Sequence, residues 1–472
     1  MSLSAKIYFY FLFLLCIISL LSLIIIREKF SDGLLIGSDS YKSLRFANEF
    51  SSSSSISYDS LSYGGKPFIE EKAWYILLSI NPVFLSRFLP FIFGLLSFIV
   101  FYLLVSKIKP EIKFVSSFLL IISPAFLYLF STSTKYSASI FFILLGFYMF
   151  AIDRKLFGFI SFFFTGFFSI LSLLVVLFLF FCYCLKKEKF DDFYIIFIGF
   201  IFVFLIQFYS IFTLGLSQSV LGFTKFSFSG LISFVVFGFG GKYGFGFFML
   251  FLAFIGIYKY YNIKLRFLFV YLFIFLLLFL SYYFNFLLSY LSFIIAFFAA
   301  FGLMPFIFGE WKERSFKFLT LLVIFCGLLF SLLVFYNQVS SFEPTPSFFE
   351  GIRFLEDKNS EGTVLADYRF GNYINYIGKK TLLDENFLYA PEPIVRKKDI
   401  DFLFNNIDIN LTVSLLNKHD VGYIFIDNRL KKEVFNNEDK GFMFLLKYSP
   451  ALFFKAFNNT EVDVWYNRNI KS

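Results

Sequence analysis

Over its first 340 positions the chain alternates long apolar runs with short basic loops. Residues 7–26 make a run long enough to cross a bilayer at roughly 1.5 Å per residue. This run lacks the small-residue cleavage site of a secretion signal and more runs follow it, so it reads as an anchor. Further runs cover residues 88–105, 114–130, 136–151, 193–213, 247–258, 267–283, 287–308 and 318–336. The stretch 156–185 is too long for one untilted crossing and is interrupted by Gly158, Thr165, Gly166 and Ser169, which predicts a pair of short or broken helices.

Lysines and arginines mark the turns between these runs: Lys107, Lys109 and Lys113; Arg154 and Lys155; Lys186, Lys187 and Lys189; Lys259, Lys264 and Arg266; Lys312, Arg314 and Lys317. Placing all of them on the cytoplasmic side satisfies the positive-inside rule and gives about 11 transmembrane helices. The amino terminus, with Lys6, is then cytoplasmic. The loops 27–87 and 214–246 are external. The segment 74–80 is apolar but too short to span, and is expected along the interface.

After Ser340 the pattern changes to that of a soluble domain. Glu343-Pro344-Thr345-Pro346 reads as a stiff linker. Short apolar strands at 363–366 and 422–427 then alternate with helical stretches at 348–356 and 413–419, which predicts an α/β fold. The expected architecture is a polytopic α-helical membrane domain over 1–340 with an extracytoplasmic α/β domain over 341–472.

Composition sharpens this picture in two ways. At 58% hydrophobic and 16% charged, the 472-residue chain is excluded from the soluble globular class, in which about a quarter of residues are charged. The net charge of +9 is accounted for by the basic loops, so it is read as topology and not as a nucleic-acid surface. The 83 phenylalanines are lipid-compatible bulk. Cys16, Cys182, Cys184 and Cys326 all fall in apolar runs, where they act as small hydrophobes. The single histidine, His419, precedes a strand in a Lys-His-Asp turn and reads as a surface residue.

Candidate chemistry centres on Gly37-Ser38-Asp39-Ser40-Tyr41-Lys42-Ser43-Leu44-Arg45, a polar run with one carboxylate just after the first apolar run. A carboxylate there can act as a general base, orient an acceptor, or hold a divalent metal bridging phosphate oxygens. The plainer reading is a helix cap or turn residue that starts the helix carrying Tyr41, Leu44 and Arg45.

This run resembles the first-loop signature of polyprenyl-phosphate-dependent GT-C glycosyltransferases, a group that includes the catalytic subunits of oligosaccharyltransferases. Leu61-Ser62-Tyr63-Gly64-Gly65-Lys66-Pro67 resembles archaeal members. Ser123-Pro124-Ala125-Phe126-Leu127-Tyr128, with Ser131 and Tyr136-Ser137, resembles their second external loop. Residues 364–374 and 378–386 are similar to the region around the Trp-Trp-Asp-Tyr-Gly motif, which recognises the acceptor's hydroxyl residue. The resemblance implies that Asp39 is the catalytic carboxylate, and also the ligand of Mg or Mn if the reaction is metal-dependent. It implies that Asp367, Tyr368 and Arg369 lie on the acceptor side.

Departures from the family shape the expected mechanism. Leu365 and Ala366 stand where the two tryptophans would be, and Arg369-Phe370 separates Tyr368 from Gly371. Ser131-Thr132-Ser133-Thr134-Lys135 stands where the family has an acidic pair, and Ser217-Gln218-Ser219 where another acid is expected. A site with one carboxylate fits transfer in which Asp39 deprotonates an acceptor hydroxyl while cations neutralise the donor phosphate. It fits activation of an amide nitrogen less well. Candidate contacts to the lipid phosphate are Tyr41, Lys42, Arg45, Lys66, Lys135 and Lys242, although Lys135 reads equally as an interfacial lysine reaching to headgroups.

The expected function is transfer of a sugar or glycan from a polyprenyl (dolichyl) phosphate donor to a protein or glycan acceptor outside the cytoplasm, by a multi-pass protein of the cell membrane. Two alternatives stay open: a divergent oligosaccharyltransferase subunit for protein N-glycosylation, and a non-catalytic membrane subunit or lipid-glycan binder.

Overall fold

The computed structural model describes residues 3–53, 55–187, 191–207, 244–260, 265–281, 286–358, 362–387, 389–433 and 441–469. Lys242, Ser217, Gln218 and Ser219 lie outside the described residues.

The apolar runs form a helical bundle. Four described helices are long and apolar enough to cross a membrane: Ala5–Phe30, Pro82–Ile108, Leu287–Phe308 and Arg314–Val339. The run expected to form one span over 114–130 is instead a pair, Pro110–Ile121 and Pro124–Ser131, bent by 61°. The reason is local: Ser123 precedes Pro124 and takes extended angles, φ −75 and ψ 119, because the proline ring disfavours helix at the residue before it. The run 156–185 is two helices, Lys155–Phe168 and Ile170–Lys187, broken at Ser169 with φ −160. Several apolar helices are shorter than a full span, including Lys135–Ala151 and Phe247–Lys259, so among the described residues four helices, or five with the bent pair taken as one, have the length to cross, against the expected set of about 11.

Two glycines show how tightly the bundle is packed. A Cβ on Gly256 would lie 1.9 Å from the Phe298 carbonyl oxygen, and one on Gly302 would lie 1.9 Å from that of Leu252. The helices Phe247–Tyr260 and Leu287–Phe308 therefore cross in backbone contact, the geometry that small residues permit in lipid.

The C-terminal domain is built on a five-stranded mixed sheet. Its order is Lys380–Thr381, Thr363–Leu365, Val421–Asp427, Val462–Asn467, Phe453–Asn458. The first three strands run parallel and the last two pair antiparallel. Every residue of Val421–Asp427 is buried, as the unbroken apolar run predicts for a central strand. Helix Pro346–Glu356 covers one face of the sheet through Phe348, Phe349 and Ile352. On the other face Leu403, Leu416, Phe442 and Leu446 form a second core.

The first loop is the mortar between the two parts. Tyr63, 1% exposed, is a member of the second core of the C-terminal domain, and Tyr41, 3% exposed, belongs to the core beneath Pro346–Glu356. The Thr381 amide donates to the Leu61 carbonyl at 3.0 Å. The segment expected at the interface holds a short helix, Ala73–Leu78, with one face enclosed through Trp74 and Leu78, Trp74 packed near Phe93 and Phe168, and Ile76 and Ile80 left exposed.

The Glu343-Pro344-Thr345-Pro346 segment is tied down. Arg27, 4% exposed, donates to the carbonyls of Leu34 (3.0 Å), Phe342 (2.8 Å) and Pro344 (2.9 Å), and the Gly37 amide donates to the Glu343 carbonyl at 2.9 Å.

Candidate functional site

Asp39 sits in the first turn of the helix Ser38–Ser52, one residue inside its start. Gly37 is the N-cap and takes φ 81, a left-handed angle, and a Cβ there would lie 3.2 Å from the Tyr128 hydroxyl. The cap is Gly37, so Asp39 does not cap the helix but lies in the first turn of the one that carries Tyr41, Leu44 and Arg45, as the plainer reading expects. Its carboxylate is exposed, and among the described residues it has neither a hydrogen-bond partner nor an ion pair. An acid on the first helical turn is favoured by the helix dipole.

The next residue stitches this turn to the 131–135 turn. Ser40 Oγ donates to the Ile36 carbonyl at 2.6 Å and accepts from the Ser133 amide at 2.9 Å. The Oγ of Ser133 and Oγ1 of Thr134 are buried and have no hydrogen-bond partner among the described residues.

Most of the expected cations are already engaged. Lys42 pairs with Glu70 at 2.5 Å, and Lys135 pairs with Glu71 at 2.5 Å, whose other oxygen accepts from the Ile170 amide at 3.1 Å. Arg45 is buried and grips Asp59 in a fork, Nη1–Oδ1 2.9 Å and Nη2–Oδ2 2.6 Å. Lys66, 3% exposed, donates to the Asn386 carbonyl and lies 3.9 Å from Asp384. Tyr41 packs among Phe349, Tyr373 and Tyr376, where it docks the C-terminal domain.

Glu70 binds several groups at once. Burial would raise its carboxyl, but Lys42 and Lys135, with hydrogen bonds from Lys42 and Tyr75, hold it down to about 2. Asn386 also donates to it from the C-terminal domain. Burial pushes the Tyr75 phenol upward, and the charges of Glu70, Glu71 and Asp39 add to that. Asp39 therefore shares one electrostatic field with the paired acids.

The C-terminal domain contributes Asp384-Glu385-Asn386. Asp384 is buried, receives the Asn386 amide at 2.7 Å and Asn375 Nδ2 at 3.3 Å, and accepts from Ser62 Oγ. Glu385 accepts from Ser38 Oγ, next to Asp39, and from Asn372 Nδ2 at 3.3 Å. Its side chain is exposed to solvent on one side, with protein packed densely on the other. Enclosure by protein, then the Asp39 charge, pushes its carboxyl up to about 8.

Of the expected acceptor-side residues, Asp367 caps the short turn Tyr368–Phe370, accepting from Arg369 through its amide (2.9 Å), Nε (2.9 Å) and Nη2 (2.7 Å). Burial raises that carboxyl, yet Arg369 brings it below the usual carboxylate range. Tyr368 packs near Phe387, at 6.0 Å between ring centres, on the Glu385 side. His419 is half-buried, with its ring Nε2 2.8 Å from Asp399.

The expectation of a lone carboxylate does not hold, since Glu70, Glu71, Asp384 and Glu385 gather at the same junction. Glu70-Glu71 is visible in the chain as an acidic pair ahead of the apolar Trp74 segment. Glu385 carries no local signal, because its role depends on a contact with Ser38 that lies 347 residues away. These acids nevertheless do not make a cation site: no three His, Cys, Asp or Glu side chains among the described residues are grouped to hold a metal ion. Each except Asp39 is turned toward a lysine, amide or hydroxyl.

An apolar helical bundle roofed by a mixed sheet, with charged groups gathered between them, defines a membrane protein whose candidate site lies where bundle, first loop and sheet domain meet. The same architecture occurs in solved structures of the Archaeoglobus fulgidus oligosaccharyltransferase. The form tethered to an acceptor peptide with an NVT sequon superposes with a TM-score of 0.59 at 11% identity, covering 89% of this chain and 70% of that one. The form in complex with Zn and sulfate gives 0.57 at 13%, covering 96% and 73%. The form with an inhibitory peptide and a dolichol-phosphate gives 0.54 at 12%, covering 91% and 70%. At these identities the likeness is one of fold. No protein-family model matches the chain, and no curated protein matches it.

Proposed function

We propose that the protein is a membrane glycosyltransferase that moves a sugar or glycan from a polyprenyl-phosphate donor to an acceptor on the outer side of the cell membrane, with Asp39 as the base. The observation that carries this reading is the state of Asp39: among the described residues it is the exposed, unpartnered carboxylate at a junction where the neighbouring acids are engaged. As the acceptor oxygen bonds to the anomeric carbon, its proton passes to Asp39. The carbon–phosphate oxygen bond breaks with its electrons going to the polyprenyl phosphate.

Lys42 and Lys135 are the cations best placed to meet that phosphate. Each ammonium has three donors and one paired carboxylate, which leaves donors for a ligand. Arg45 and Lys66 act differently: the Arg45 fork is filled by Asp59, and Lys66 is enclosed against Asn386, so both shape the loop.

An oligosaccharyltransferase-type reaction shares this donor chemistry. It is favoured by the contact of the sheet domain with Ser38, the residue before Asp39, and is distinguished by transfer to an Asn-x-Thr peptide. The test is Asp39→Asn in proteoliposomes supplied with radiolabelled dolichyl-phosphate-linked mannose. Transfer is expected to fall at least about 100-fold, the scale of a lost general base, with expression and thermal midpoint unchanged. Wild-type transfer in that variant removes the reading.

A further inference from the structure

Two carboxyls from different parts of the chain come within reach of each other's charge at this junction, and the reaction as proposed uses one. Asp39 comes from the first loop, and Glu385 from the segment after the strand Lys380–Thr381. Ser38, the residue before Asp39, donates to Glu385 Oε2, and so does Asn372 at 3.3 Å. Both bonds go to one oxygen. Among the described residues Oε1 has no hydrogen-bond partner, while the side chain keeps accessible surface. A carboxyl anchored through one oxygen and open through the other is held in a fixed direction with a free end toward solvent.

We propose that Glu385 is the acceptor-positioning residue of this site, a carboxyl that donates a hydrogen bond from Oε1 to the acceptor and aims the acceptor's reacting atom, a hydroxyl oxygen or an amide nitrogen, at Asp39. The proposal rests on the glycosyl-transfer reading above. It gives the sheet domain a direct part in the reaction, since the domain supplies one hand of the acceptor grip and the first loop supplies the base.

The surroundings suit a neutral Glu385. Asp39 and Lys42 face it from the helix Ser38–Ser52, Asp384 adjoins it in its own segment, and Tyr368 and Tyr373 lie opposite within reach of its charge. Enclosure by protein and the Asp39 charge disfavour ionisation more than Lys42 and the Ser38 hydroxyl favour it, which puts its titration at about 8. Carboxyls whose surroundings push their titrations apart divide into one base and one donor. Below that pH Glu385 carries the proton that it offers to the acceptor. Above it, a second negative charge beside Asp39 replaces the donor.

The test measures initial rates in proteoliposomes with dolichyl-phosphate-linked mannose, using octyl mannoside and an Asn-x-Thr peptide as parallel acceptors, from pH 6 to 9.5. With whichever acceptor is labelled, the wild type should show acceptor KM rising above about pH 8. Glu385→Gln, which keeps a donor but cannot ionise, should retain transfer at neutral pH and lose that alkaline rise. Glu385→Ala should raise acceptor KM about 10-fold or more at all pH values and leave donor KM unchanged. A purely structural glutamate would not abolish the alkaline rise when replaced by glutamine. An alkaline rise kept in Glu385→Gln, or an unchanged acceptor KM in Glu385→Ala, overturns the proposal. Loss of transfer in Asp39→Asn alongside either result leaves the broader reading standing, whereas full transfer in Asp39→Asn removes both.

Discussion

Arg45 and Asp59 show why a cation next to a candidate base need not serve the reaction. Both are buried, and the guanidinium fills the carboxylate in a two-point fork while the Leu61 and Ser62 amides take up remaining lone pairs at 3.1 and 3.3 Å. Burial raises the Asp59 carboxyl, and these bonds bring it below its ordinary value. Removing one partner strands the other, so Arg45→Met should destabilise the protein by about 3–5 kcal/mol. The drop in thermal midpoint in detergent checks this, and the Arg45→Met/Asp59→Leu pair should recover most of it. Glu70 adds a pH dependence. Its carboxyl titrates at about 2 in the folded protein against an ordinary 4.5, so its contribution is fully present above pH 4.5 and is lost as pH falls toward 2. Glu70→Gln should flatten the fall in thermal midpoint over that interval.

At the scale of elements, some of the fold is legible in the chain and some is not, for one physical reason. Period and composition report what a segment does to its own neighbours. The buried strand Val421–Asp427, the paired helices about Ser169 and the sheet domain after Ser340 can all be read from the chain. Contacts across hundreds of residues leave no such mark, which is why Glu385 does not stand out. The glycine crossing belongs to the same hidden class. Gly256 and Gly302 each abut the other helix's backbone, and a methyl added at either would sit 1.9 Å from a carbonyl oxygen. A backbone atom cannot rotate away as a side chain can. Gly256→Ala should therefore cost about 1–3 kcal/mol and lower the detergent thermal midpoint, whereas Gly199→Ala, where a Cβ meets nothing within 4 Å, should leave it unchanged.

For the whole molecule, the question is what holds a soluble domain in register over a helical bundle so that Ser38 and Glu385 meet. Apolar contacts give part of the answer, because Tyr41 and Tyr63 reach from the first loop into the two cores of the sheet domain. Such contacts are poor at fixing direction. Arg27 supplies direction, since one buried guanidinium gathers the carbonyls of Leu34 and Leu35 from the loop, Val339 and Phe342 from the end of the last helix, and Pro344 from the segment entering the domain. These acceptors are neutral backbone groups, so the cation is stabilised by many dipoles and each segment is fixed by losing its orphan carbonyl. Arg27→Met keeps the apolar stem and removes every one of those donors. The sheet domain should remain folded, because its own strands and cores are untouched. Residues 337–346 should lose hydrogen-exchange protection and become cleavable by protease, and transfer should fall although Asp39 and Glu385 are both intact. Protection and transfer equal to the wild type would show that the aromatic contacts alone hold the domain in place.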